Sequence, residues 1–155
     1  MAPVVPDYDK QVAAWPAPVQ LTHLEGDLYA TLIYHKGYIE AKWSGHINAD
    51  DVVTAAQVYL ALLEKTPVPS LLNDKTNASG DWSEANDWLE FEWMPQAIRS
   101  GLRCLAHVYS SNMFSRLSAR DLFQRLTPSI NMQNFSDREA AEAWLLSYST
   151  ADGTA

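Results

Sequence analysis

Cysteine is nearly absent from this chain. Its single residue, Cys104, excludes an internal disulfide and a cysteine-built metal site. Glycine is scarce as well, with six residues too scattered to spell GxxxxGK[ST], GxGxxG or GxSxG. A phosphate-cradling loop, a dinucleotide fingerprint and a nucleophile elbow are therefore excluded, and no cofactor is expected. No apolar run approaches the roughly 18–20 residues that span a bilayer. Residues 1–7 carry neither a basic leader nor a long apolar stretch, so no secretory signal and a cytoplasmic location are expected. Basic residues are outnumbered: 11 Lys and Arg face 19 Asp and Glu, a net charge of −8 that argues against nucleic acid as a partner. What the chain does have is apolar material, 47% of 155 residues, enough for the core of one domain.

Periodicity divides the chain. The first eighteen residues hold Pro3, Pro6, Pro16 and Pro18 and little repeat, the pattern of an extended or disordered arm anchored only by Tyr8 and Trp15. Residues 150–155 are small and polar and are expected to fray. Between them, 19–24, 28–34 and 38–43 read as strands joined by turns, with Ile39, Ala41 and Trp43 alternating with Glu40 and Lys42 as in an edge region with one dry and one wet face. Helical spacing follows over 49–65 behind the N-cap Asn48. A short strand at 70–73 precedes a capping-box pattern, Asp81-Trp82-Ser83-Glu84, which opens a helix to about residue 100. A strand covered on both faces (102–110) follows. Next comes a helix over 112–126 whose apolar side is Phe114, Leu117, Leu122, Phe123 and Leu126. A strand (130–135) and a last helix, opened by a second capping-box pattern, Ser136-Asp137-Arg138-Glu139 with Ser136 as cap, complete the order β-β-β-α-β-α-β-α-β-α. That order predicts a single α/β domain over 19–149, a mixed sheet of five or six strands with about four helices mainly on one face.

No catalytic set emerges. His23, His35, His46 and His107 fall in separate segments, so no metal site is expected. Cys104 reads as a small hydrophobe in an apolar strand. Residues 74–92 carry six carboxylates against Lys75 alone, and 99–125 carry five arginines against Asp121. This asymmetry either orients a partner or a second copy of the chain, or is neutralised between neighbouring elements. In the helix opening at Trp82, a 100° step places Trp82, Ala85, Leu89 and Trp93 on one core-facing stripe. Trp88 and Phe91 fall off it, either covering a loop or forming a contact surface.

Several segments resemble the bacterial STAS/SpoIIAA-like proteins. They are Asn73-Asp74 closing a strand, Trp88 and Trp93-Met94-Pro95 in the next helix, and Gly101-Leu102-Arg103 entering a buried strand. Met113-Phe114-Ser115-Arg116-Leu117-Ser118, and Phe135-Ser136-Asp137 with Ala140, Ala143, Trp144 and Leu145, are similar to the same group. The resemblance spans about 28–147. It implies a mixed sheet with helices on one side, no catalytic activity, and a regulatory module that binds a protein partner, here through the helix opening at Trp82 and its preceding loop. Some relatives are switched by phosphorylation of a Ser or Thr at a position that corresponds to Thr76 or Ser79. The fold is also similar to CRAL-TRIO lipid-transfer domains, which implies as the alternative a small apolar ligand between helices and sheet. Trp88, Phe91, Met94 and Met113 are the candidate contact or pocket residues.

Overall fold

In the computed structural model residues 6–151 are described. The expectations for residues 1–5 and 152–155 lie outside the described residues. Strands β1 (Val19–Thr22), β2 (Leu28–His35) and β3 (Tyr38–His46) form an antiparallel meander. β3 then pairs in parallel with β4 (Ser70–Ser79), β4 with β5 (Cys104–Val108), and β5 with β6 (Asn131–Phe135). The six strands lie in the sheet in their order along the chain.

That order decides where the helices go. Each parallel step moves one strand over in the same direction, so right-handed crossovers place every connecting helix on one face. These helices are α2 (Ala49–Lys65), the helical run α3 and α4 (Met113–Leu126). α3 consists of four abutting segments: a 3₁₀ turn (Ser83–Ala85), one α turn (Asn86–Trp88), a π-helical stretch (Leu89–Trp93) and an α-helix (Met94–Arg99). The final helix, α5 (Arg138–Ala151), has no following strand to reach and covers the opposite face. There Ala141 and Leu145 pack on Tyr38, Leu72, Cys104, Ala106 and Val108.

Four local expectations are corrected. Residues expected to form an extended arm make helix α1 (Pro6–Ala13), and the foreseen anchors, Tyr8 and Trp15, are both buried in the main core. β3 is a central strand, and its supposedly wet face is dry at Glu40, which is buried beneath α5, and exposed at Lys42. Burial alone would raise the Glu40 carboxyl, but hydrogen bonds from Arg138 (2.7 and 3.1 Å) and His35 (2.8 Å) hold it below the usual carboxylate range. No capping box opens α3; Asp81 instead accepts from the backbone N–H (2.9 Å) and hydroxyl (2.7 Å) of Ser83. At α5 the cap is Asp137, which accepts from the Ala140 N–H at 3.1 Å, and not Ser136. At α2 the foreseen Asn48 cap closes a reciprocal box with Asp51.

Candidate functional site

The stripe predicted for α3 is correct. Trp82, Ala85, Leu89 and Trp93 are all buried in the main core. Off the stripe the four candidate residues separate. Phe91 is 64% exposed, Trp88 is half-buried against the core, and Met113, at the start of α4, is 70% exposed. Met94 is a correction: at 2% exposure it belongs to the core and cannot meet a partner. Its inward turn follows from the π-helical stretch. The wider turn lags behind the 100° step of an α-helix and rotates the residue after it inward.

α4 reverses its predicted face in part. Leu122 and Leu126 are buried as expected, but Phe114 (60%) and Leu117 (52%) are exposed, and Ser115 and Ser118 face the core instead. Trp82 is the reason. Its indole N–H donates to the Ser115 hydroxyl and its backbone N–H to the Ser118 hydroxyl, each at 3.2 Å. Turning Phe114 or Leu117 inward would leave both donors buried without acceptors. A groove of about 460 Å³ remains between α3 and α4, lined by Asp81, Ser83, Glu84, Phe114, Leu117 and Arg125 among others. Arg125 joins the two helices by bonding Asp87 (2.6 Å), Glu90 (3.1 Å) and its own neighbour Asp121 (2.8 Å). Part of the charge asymmetry is therefore neutralised within the molecule.

Thr76 and Ser79 lie within β4, which extends six residues past its expected end at Asn73. Thr76 is exposed and its hydroxyl donates to Asp74 at 2.5 Å; Ser79 is half-buried at the strand's last position. The backbone N–H groups beyond it are already engaged: Gly80 with Asn112, Trp82 with Ser118 and Ser83 with Asp81. Gly80 itself has a steric reason, since a Cβ there would collide with the Ile47 carbonyl oxygen.

The longer β4 also creates a site that the sequence reading does not contain. Alternation along the strand puts Leu71, Asn73 and Lys75 on the helix-covered face. Asn73 lies between Ala41 on β3 and His107 on β5 in register. The Trp43 indole N–H donates to the Asn73 amide oxygen at 2.6 Å, and the Asn73 amide nitrogen lies 3.2 Å from His107 Nδ1. That nitrogen must therefore accept, which places the imidazole proton on Nε2, an atom with no partner. Burial, reinforced by Lys75, holds the His107 imidazole well below its ordinary pKa. Lys75 is 1% exposed. Its Nζ is sandwiched between the rings of Trp43 and Trp82, 4.4 and 4.0 Å from their centroids. Among the described residues it has no hydrogen bond or ion pair. Burial lowers its pKa to about 7.

A cavity of about 50 Å³ adjoins this lysine. Its lining includes Trp43, Tyr59, Asn73, Lys75, Trp82 and Trp93; Trp88, Phe91, Met94 and Met113 are not in it. The Tyr59 hydroxyl is buried and unpartnered, and burial pushes its phenol up. Among the described residues no group of three His, Cys, Asp or Glu side chains could hold a metal ion, and no helix is long and apolar enough to cross a membrane. The one clue to Lys75 in the sequence is its place two residues after Asn73, and it becomes visible only if the strand continues past Asn73. A family model described as SpoIIAA-like matches residues 38–146. No curated protein matches the chain.

Proposed function

Given that the chain belongs to the SpoIIAA-like family, we propose that it is a non-enzymatic, cytoplasmic regulatory module that docks a protein partner on α3, its preceding loop and the start of α4. The exposed Phe91, Met113, Phe114 and Leu117 carry this reading: large apolar side chains on neighbouring helices that their own core does not use. Asp81 and Glu84 supply an acidic fringe, so the fitting partner presents apolar side chains flanked by basic ones. The alternative of a lipid-like ligand meets a size limit. Ligand pockets run to roughly 300–1,000 Å³, and the cavity under the helices is about 50 Å³.

A photo-crosslinking residue placed at Phe114 or Phe91 in cells tests the docking face, with Lys36 on the distant β2–β3 turn as control. Discrete adducts at the two helix positions and none at Lys36 are expected, with loss of the Phe91 adduct in a Phe114→Ser/Leu117→Ser variant that keeps its melting temperature. Identical adduct patterns at all three positions would overturn the reading.

A further inference from the structure

Two buried polar residues line one small cavity: Lys75, whose amine meets only the faces of Trp43 and Trp82, and Tyr59, whose hydroxyl has no hydrogen-bond partner. The indole donors around them are all used elsewhere, by Asn73 for Trp43, Ser115 for Trp82 and the Ala56 carbonyl for Trp93. Natural interiors do not leave such groups unsatisfied without cause. An apolar cavity of about 150 Å³ holds benzene, so the roughly 50 Å³ here has room for a molecule of a few heavy atoms.

The walls restrict its chemistry. Trp43 and Trp82 present their faces to Nζ, and aromatic faces carry negative potential, which disfavours an anion. No carboxylate lines the cavity, so a metal ion has no ligands there. What suits an amine with a free lone pair in a dry, π-faced slot is a small neutral electrophile.

We infer that Lys75 is a reversible covalent anchor for a small aldehyde or ketone, held as an imine between Trp43 and Trp82. The Nζ lone pair forms a bond to the carbonyl carbon while a proton moves from nitrogen to the carbonyl oxygen, giving a carbinolamine. The C–O bond then breaks, and the hydroxyl leaves as water with the remaining N–H proton. The resulting imine is neutral, and nothing is oxidised or reduced. Tyr59, whose buried hydroxyl has no partner, lines the same cavity. The lowered pKa of Lys75 keeps a large fraction of the amine unprotonated at neutral pH, and His107, the titratable group beneath it, is neutral there and does not compete as a cation. This site is separate from the docking face, so either can fail without the other.

The test is limited reductive ethylation of the full chain at pH 7 with acetaldehyde and cyanoborohydride, followed by peptide mapping. The exposed lysines, Lys10, Lys36, Lys42 and Lys65, are the internal comparison. Lys75 is expected to be ethylated at least about tenfold faster than any of them in the native protein, and to lose that lead in urea. A Lys75→Met variant should show only the slow surface adducts. Native ethylation confined to surface lysines would mean a cavity holding water alone and would overturn the inference, as would a Lys75 lead that persists in urea. If the variant fails to fold, the native-against-urea comparison on the unaltered chain still decides.

Discussion

At the residue scale, the chemistry concentrates on a lysine without a counter-ion. Lys75 contributes its charge to nothing in the folded protein, and the cost appears as a proton given up. In the unfolded chain it titrates near its ordinary 10.5, and in the fold near about 7. Between those values the unfolded state binds more protons, so stability rises with pH across that window. Raising the pH from 7 to 9 should stabilise the protein by on the order of 2 kcal/mol in urea melts. Lys75→Met should abolish that rise and be at least as stable at pH 7, because an apolar side chain of similar length removes the buried amine. His107 acts in the same direction at lower pH. Its folded pKa lies well below 6.5, so stability falls as the unfolded chain protonates beneath that value, in the variant as in the parent. Tyr38, pushed up to about 12 first by burial and then by Glu142, works in the opposite sense but only above pH 10.

Elements show where sequence patterning succeeds and where it meets a competitor. Caps are local, and Asn48 is legible because its side chain accepts from the backbone N–H three residues on; Asn112 does the same for α4 but reads in the sequence only as the helix's first residue. At α5 two adjacent cap residues compete, and only the path of the chain out of β6 selects Asp137. Asp137→Ala should cost about 1 kcal/mol in denaturant melts and Ser136→Ala close to nothing; equal costs would mean the cap is shared. α4 defeats an apolar-face argument for a different reason. Amphipathicity assumes that the core wants hydrocarbon, whereas here it wants acceptors for Trp82, and two serines supply them. In α3 the π-helical stretch changes the angular step midway, so a constant 100° places Trp93 correctly and Met94 wrongly.

For the whole molecule, a sheet laid out in chain order leaves one reverse face and one helix, α5, to cover it, while α1 closes the far end of the main core. Trp15 fixes α1 by burying its ring beside Tyr34 (6.1 Å, edge-on) and donating its indole N–H to Thr66 at 3.0 Å. Trp15→Ala should therefore cost roughly 3–5 kcal/mol, and Phe91→Ala less than about 0.5 kcal/mol; parity between them in chemical denaturation would deny that the arm belongs to the core. The alternation and helical spacing of the chain alone determined the order of elements from β1 onward, the fold class and the buried stripe of α3, because these depend on which neighbours a residue has within one or two turns. Tertiary structure alone decided that Lys75, Trp43 and Trp82 meet, that Glu40 is dry and that Phe114 is not. Those outcomes depend on which strands lie side by side and which buried donors must be answered, and neither is written in local periodicity.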